Sequence, residues 1–308
     1  MTPRLRVAVI GVGHLGQHHA RILAAMPDVD LMAVVDTKPD RAAEIAARHG
    51  TRAFTAASEV LGQIDAVTIA TPTSSHVEVA LPFVEAGVAV LVEKPLAGGL
   101  AEADVLIKAA ETRGTLLAVG HTERFNPAVG AALPLVSRPR FIEIHRLGTF
   151  PERSLDIDVI FDLMIHDLDI LLAAVDSTVE SVEAVGVNVL TPRIDIANAR
   201  LRFASGCIAN VTASRISRER VRKARFFQSD AYISIDYAAQ EVEVYRLVSE
   251  NGGRPTIAGG RVDVATDEPL RRELADFVDA VRSGGRPAVT GQNGREALAL
   301  ATRIADLI

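Results

Sequence analysis

Residues 5–10 form a short apolar run that ends in glycine, and their valine and isoleucine content predicts a buried strand. Residues 15–25 predict a helix that stops at Met26-Pro27-Asp28. The alternation then repeats. Apolar runs at 31–35, 66–70, 88–92 and 116–119 predict further strands, and 38–49, 76–85, 101–112 and 127–136 predict helices. The helix over 38–49 has Pro39 at its start and Gly50 just past its end, the asymmetry expected of helix termini. Repeated strand–helix units predict a parallel sheet covered on both faces.

The period changes near residue 140. Arg140-Phe141-Ile142-Glu143-Ile144-His145 alternates apolar with polar, as a half-buried strand does, and 182–189 and 197–203 behave similarly. Ala204-Ser205-Gly206 lies between runs at 199–203 and 207–212 and reads as a hairpin turn. Residues 232–236 and 241–247 continue the theme. A helix over 159–175 precedes these strands, and helices over 270–281 and 295–308 close the chain. The fold class is therefore α/β followed by α+β. A doubly wound parallel domain over 1–122 precedes a domain over 123–308 with an open, mostly antiparallel sheet.

Composition narrows the function. Of 308 residues, 48% are hydrophobic and 23% charged, which excludes a mostly disordered chain. A net charge of -6 argues against a nucleic-acid partner. Charged residues interrupt every long apolar run, so no membrane span is expected. The single cysteine, Cys207, allows no internal disulfide and suits a reducing compartment. With no targeting segment evident, the expected location is the cytoplasm.

Gly11-Val12-Gly13-His14-Leu15-Gly16 matches G-x-G-x-x-G. It follows a predicted strand, opens a predicted helix, and precedes Asp36 at the end of the next strand, which together make a dinucleotide-binding fingerprint. Gly11 permits the tight turn, Gly13 the close approach of a pyrophosphate, and Gly16 close helix packing. Asp36 suits the ribose hydroxyls of NAD and repels a 2′-phosphate, although the neighbouring Lys38 leaves NADP open. Thr71-Pro72-Thr73-Ser74-Ser75-His76 and Glu93-Lys94-Pro95 each follow a parallel strand, where such sheets bind ligands. The first segment is equally explained as a turn that caps the next helix. By spacing alone, Lys94 reads as an ordinary exposed lysine; facing a crevice, its ammonium would stabilise charge on a substrate oxygen.

Asp162 and His166 stand four apart in an apolar helix, so they share a face, and Asp158 continues it. A carboxylate beside an imidazole fixes its tautomer and raises its basicity. The same pair as metal ligands lacks a third partner, so no metal is expected. Arg124 and Arg153 offer forks for phosphate or carboxylate, or equally surface ion pairs. The basic run Arg215, Arg218, Arg220, Arg222, Lys223 and Arg225 reads as a solvated face, with a phosphate-bearing substrate as the sharper alternative.

The fingerprint, the Glu93-Lys94-Pro95 turn and the Asp162-x-x-x-His166 helix, in this order, resemble the glucose–fructose oxidoreductase / inositol dehydrogenase / rhizopine-catabolism (Gfo/Idh/MocA) family along essentially the whole chain. The resemblance implies a Rossmann domain, a C-terminal sheet that often joins homodimers or homotetramers, a nicotinamide cofactor, and polyol or sugar substrates. It implies that Lys94, Asp162 and His166 are catalytic. Lys94, His166, Arg124 and Arg153 would meet substrate. Gly11, Gly13, His14, Leu15, Gly16, Asp36, Thr71, Pro72, His76, Glu93 and Lys94 would meet the cofactor. Thr73 and Thr122 stand where many members carry asparagine. The stretch from Phe150-Pro151-Glu152-Arg153-Ser154 through Asp162 to Asp167 resembles a subgroup that oxidises UDP-N-acetylglucosamine at its 3-position. The expected reaction is hydride exchange between a secondary sugar hydroxyl and NAD. The rival readings are an inositol or simple-sugar dehydrogenase, a non-catalytic NAD-dependent sensor, and an NAD-dependent glycoside hydrolase.

Overall fold

The computed structural model describes residues 3–150, 155, 157–248 and 255–308. They divide into two compact units, Met1–Thr122 with Leu270–Arg295, and Glu123–Pro269 with Glu296–Ile308. The first contains β1 (Leu5–Ile10), α1 (Gly16–Ala25), β2 (Val29–Val35), α2 (Pro39–His49), β3 (Arg52–Phe54), β4 (Ala66–Ile69), α3 (His76–Glu85), β5 (Ala89–Glu93), α4 (Leu100–Arg113) and β6 (Leu117–Gly120). Its strands are all parallel, in the order β3-β2-β1-β4-β5-β6. This is the doubly wound Rossmann order, with its switch point between β1 and β4. β4, β5 and β6 are buried at every position, which is why they read as unbroken apolar runs. β3 has three residues and begins on an exposed arginine, so no periodicity announces it.

The second unit contains α5 (Pro127–Ala132), β7 (Phe141–Leu147), α6 (Ile165–Ala174), β8 (Val179–Val187), β9 (Ile196–Phe203), β10 (Ile208–Ser214), β11 (Val221–Phe227), β12 (Ala231–Asp236), β13 (Glu241–Val248) and β14 (Thr256–Val262). The order is β14-β13-β12-β11-β7-β10-β9-β8, antiparallel except for the β7–β10 pair. One face packs Ile142, Ile144, Val211, Ala224 and Phe226 against Met164, Ile165 and Leu168. The other face carries an aromatic ladder, Phe141–Phe227–Tyr232–Tyr245, across four strands. β11 hides in the sequence because Arg222, Lys223 and Arg225 mask its buried Ala224 and Phe226. The expected turn at Ala204-Ser205-Gly206 forms with Gly206 at φ +83° and its N–H on the Phe203 carbonyl, 2.8 Å away.

The last two helices, α7 (Pro269–Ser283) and α8 (Gly291–Ala305), correct the expected division. Leu274, Phe277 and Val278 of α7 join the first unit's core with Val7, Val9 and Leu91, so 123–308 is not one unit. An amphipathic helix declares an apolar stripe but not which sheet will bury it. α8 begins four residues before its expected start at 295. Thr290 and Asn293 cap it by reciprocal hydrogen bonds of 2.8–3.3 Å, and Gly291 and Gly294 lie against Leu117 and Val119, where a Cβ would come within 2.7 Å.

Candidate active site

The first unit brings its polar residues to the carboxyl ends of its strands. Gly11 follows β1 at φ +80°, and a Cβ there would meet the Ala70 carbonyl oxygen at 2.7 Å. A Cβ on Gly16 would strike the Gly11 carbonyl oxygen, so the turn and the start of α1 both require glycine. Around Gly13 nothing lies within 4 Å of an added Cβ. His14 and Leu15 are exposed at the tip of this loop. Asp36 latches the loop. Its carboxylate accepts from the Val12 N–H and the Lys38 N–H, each at 3.0 Å, and keeps lone pairs for further donors. Arg41, which sequence reasoning missed, donates to the Val12 carbonyl at 2.8 Å and to Gln17 at 3.0 Å. Its only signal was its place in the first turn of α2, just after Asp36.

Two buried histidines hold the Glu93-Lys94-Pro95 turn, whose Lys94–Pro95 peptide is cis. His19 Nε2 lies 3.0 Å from Glu93 Oε1, and Glu93 Oε2 accepts from the Lys94 N–H at 3.2 Å. Burial pushes the Glu93 carboxyl up, but the His19 bond and the nearby charges of His19 and Lys94 prevail, and the carboxylate is favoured. His76 Nδ1 faces the Pro95 carbonyl and Nε2 the Thr71 carbonyl, both at 2.9 Å. His76 was expected at the cofactor. With both ring nitrogens on main-chain oxygens and 1% exposure, it instead joins two strand-end loops. Glu93 likewise spends both oxygens within the protein. Pro72 is exposed, whereas Thr71 keeps a buried hydroxyl with no hydrogen-bond partner among the described residues. Lys94 is half-buried, not the exposed lysine that spacing favoured. A further group unseen in the sequence gathers here: donor atoms of His19, Glu93 and Glu273, all buried, lie within 4.8 Å of one another.

In the second unit the expected 159–175 helix opens as a π-turn, Ile160–Met164, and only then becomes α6. Such wide turns recur at functional sites. Asp162 lies in the π-turn and His166 in the first turn of α6, both half-buried. Asp158 does not extend their chemistry. Its side chain accepts from the Ile194 N–H at 2.9 Å, and its carbonyl accepts from the Asp162 N–H at 3.1 Å, which anchors the turn.

The arginine expectations divide. Arg124 grips Asp169 in bidentate fashion at 3.0 and 2.7 Å, so that edge of its fork is taken up inside the unit. Arg153 lies outside the described residues. Arg146, which sequence reasoning passed over as a strand residue, is buried between Asp167 at 2.7 and 2.8 Å and Glu123 at 2.8 Å, over the Tyr237 ring. Burial opposes its charge, but the two carboxylates win and raise its pKa far above the usual guanidinium value.

Residues 5–121 match the family model for an oxidoreductase family with an NAD-binding Rossmann fold, and residues 138–234 match a GFO/IDH/MocA C-terminal domain. UDP-N-acetylglucosamine 3-dehydrogenase of Acidithiobacillus ferrooxidans is 41% identical over 302 residues, covering 97% of this chain and 96% of that protein. The chain belongs to the GFO/IDH/MocA oxidoreductase family. Myo-inositol 2-dehydrogenase of Thermotoga maritima is 29% identical over 96% of this chain and 94% of that protein. A solved structure of the A. ferrooxidans enzyme matches with a TM-score of 0.92 at 40% identity, covering 99% of this chain and 98% of that one. A levoglucosan dehydrogenase complexed with NADH, at 20% identity and a TM-score of 0.89 over 99% of this chain and 96% of that one, shares the fold.

This GFO/IDH/MocA chain is thus an NAD-binding oxidoreductase, and its residues fit that cofactor. The open space at Gly13 is a cradle that any Cβ would fill, the Asp36 carboxylate has lone pairs left for ribose hydroxyls, and the buried Thr71 hydroxyl lacks a partner. No helix among the described residues is long and apolar enough to cross a membrane.

Proposed function

We propose that this enzyme oxidises the 3-hydroxyl of UDP-N-acetylglucosamine to a ketone. The observation that carries this reading is the 41% identity, along almost the whole of both chains, to an enzyme named for that reaction. It is supported by the intact Lys94, Asp162 and His166 set, half-buried as proton-handling groups need to be. NAD, when bound, supplies the ring that takes up the hydride. Neutral His166 accepts the hydroxyl proton at a ring nitrogen. Asp162 orients that imidazole and stabilises the imidazolium that forms. The Lys94 ammonium donates a hydrogen bond to a substrate oxygen and offsets its developing negative charge. Glu93 and His19 hold the Lys94 main chain in place, and Gly11, Gly13, Gly16, Asp36 and Thr71 hold the cofactor.

The substrate is an anionic nucleotide sugar of the cytoplasm. A second copy of the chain covers the open sheet face, where the aromatic ladder and the exposed Leu247 and Ile257 lie. Inositol is the second reading, favoured by the Thermotoga maritima relative.

Absorbance of reduced nicotinamide across a panel of UDP-N-acetylglucosamine, free N-acetylglucosamine, myo-inositol and hexoses tests the proposal. The nucleotide sugar is expected to give the highest kcat/KM. Lys94→Ala is expected to lower kcat by about 10² to 10⁴ while NAD still binds. Turnover of inositol without turnover of the nucleotide sugar overturns the substrate; unchanged kcat in Lys94→Ala overturns the role of Lys94.

A further inference from the structure

The cations of β11 and the turn before it fall into two sets. On one face of the strand, Lys223 pairs with Asp236 at 3.2 Å and Arg225 with Glu143 at 2.8 Å. Arg222 stands on the other face, two residues before the buried Ala224 and four before Phe226, which pack under the helices. Its register partner on β7 is Arg146. Like charges directly opposite one another destabilise a sheet. Arg146 is held by Asp167 and Glu123; Arg222 has no carboxylate within ion-pair distance among the described residues, but its charge acts on those same two carboxyls and favours their ionised forms. Arg218 is exposed and equally without an ion pair among the described residues. Arg220 donates to the Thr149 hydroxyl at 3.2 Å and has no ion pair among the described residues. Glu219 lies between them and pairs with none of the three.

These arginines sit at a defined place. β7 ends at Leu147 beside the end of β10 and the start of β11. The Gly148 N–H donates to the Ser214 carbonyl at 2.8 Å, and the Ser217 N–H returns to the Gly148 carbonyl at 2.9 Å. At the same end, Arg215 donates to the Ile157 carbonyl at 2.7 Å, one residue before the Asp158 that anchors the Asp162 turn. Arg218, Arg220 and Arg222 therefore share one end of the sheet with the start of the segment carrying Asp162 and His166, and Arg222 shares the face on which α6 packs.

We infer that Arg220 and Arg222, with Arg218 beside them, bind the diphosphate of the nucleotide-sugar substrate. A diphosphate brings two negative charges and a row of oxygens that guanidinium forks match in bidentate fashion. The anion engages the exposed forks of Arg220 and Arg222 and gives the enzyme a means to prefer a nucleotide sugar over the free sugar. This assignment replaces Arg124, whose fork is held by Asp169. It rests on the nucleotide-sugar reading given above.

Steady-state kinetics on the NAD-saturated enzyme test it with Arg220→Gln, Arg222→Gln and the double variant, all at sites exposed enough to tolerate the change. KM for UDP-N-acetylglucosamine is expected to rise about 10-fold in each single variant and about 100-fold in the double, with kcat within about threefold of the wild type. The inhibition constant of UDP alone is expected to rise in parallel, and Arg222→Lys to restore part of the loss. An unchanged KM together with an unchanged UDP inhibition constant in the double variant overturns the assignment, as does a fall in kcat at constant KM. If the wild type turns over an uncharged polyol and neither binds UDP nor oxidises its sugar, the substrate reading fails and the diphosphate site falls with it. If the wild type oxidises the nucleotide sugar and the variants bind it as well as it does, the diphosphate site alone falls.

Discussion

The two sheets place their polar chemistry differently. In the first, Asp36, Thr71 and Glu93 stand at or just beyond the carboxyl ends of β2, β4 and β5, and the strands between are apolar on both faces. In the second, ionisable groups lie within the helix-covered core itself: Arg146 is 4% and Asp167 0% exposed. A parallel sheet with helices on both sides leaves only its strand ends for ligands. A sheet covered on one side meets its helices with residues of alternate parity, and an arginine at one such position is tolerated only when its partners are supplied by other elements, here α6 and the segment before α5. A charged residue in the first unit therefore marks a site by its place at a strand end. In the second unit, burial between partners marks Arg146 and Asp167 as structural groups.

That contrast can be broken most forcefully at Arg146. Replacing it with alanine leaves Asp167 and Glu123 buried without their cation and is expected to cost about 3–5 kcal/mol of unfolding free energy, read from denaturant titration. A loss below about 1 kcal/mol would mean that the buried pair is not structural. Gly16→Ala probes the first unit. The new Cβ meets the Gly11 carbonyl oxygen, so the loop must shift, with an expected loss of about 1–3 kcal/mol and weakened NAD binding by calorimetry. Wild-type affinity in that variant would show that the glycine loop has slack.

The smallest effect concerns His76. Burial lowers its pKa, although the Thr71 and Pro95 carbonyls favour the charged form, so the native state takes up its proton later than the unfolded chain does. The stabilisation from neutral His76 is complete above about pH 6.5, the unfolded value, and is lost as pH falls from there through the lower native value. Melting temperature should therefore decline below about pH 6.5, and less steeply in His76→Asn. Equal slopes in the two proteins would remove His76 from the pH response.

The sequence carried the first unit almost entirely. Its strands are long in valine and isoleucine, its helix ends are marked by Pro39 and Gly50, and Gly11, Gly13, Gly16 and Asp36 occupy their positions by chain geometry that extends over only one strand–helix–strand unit. The alternation of β7, β9 and β10 was legible for the same reason, since a period of two is a property of neighbouring residues. Which residues meet across the chain was not. Nothing local tells that Arg124 answers Asp169, that His76 answers Pro95, that Glu273 joins His19 and Glu93, or that α7 returns to the first core. The π-turn under Asp162 escaped because its apolar residues satisfy a helical period as well as an ordinary turn would. Local pattern determined the elements and the identity of the reactive side chains. Long-range packing alone decided which charges are neutralised and which are left for a ligand, because pairing energy depends on distance between groups far apart in sequence.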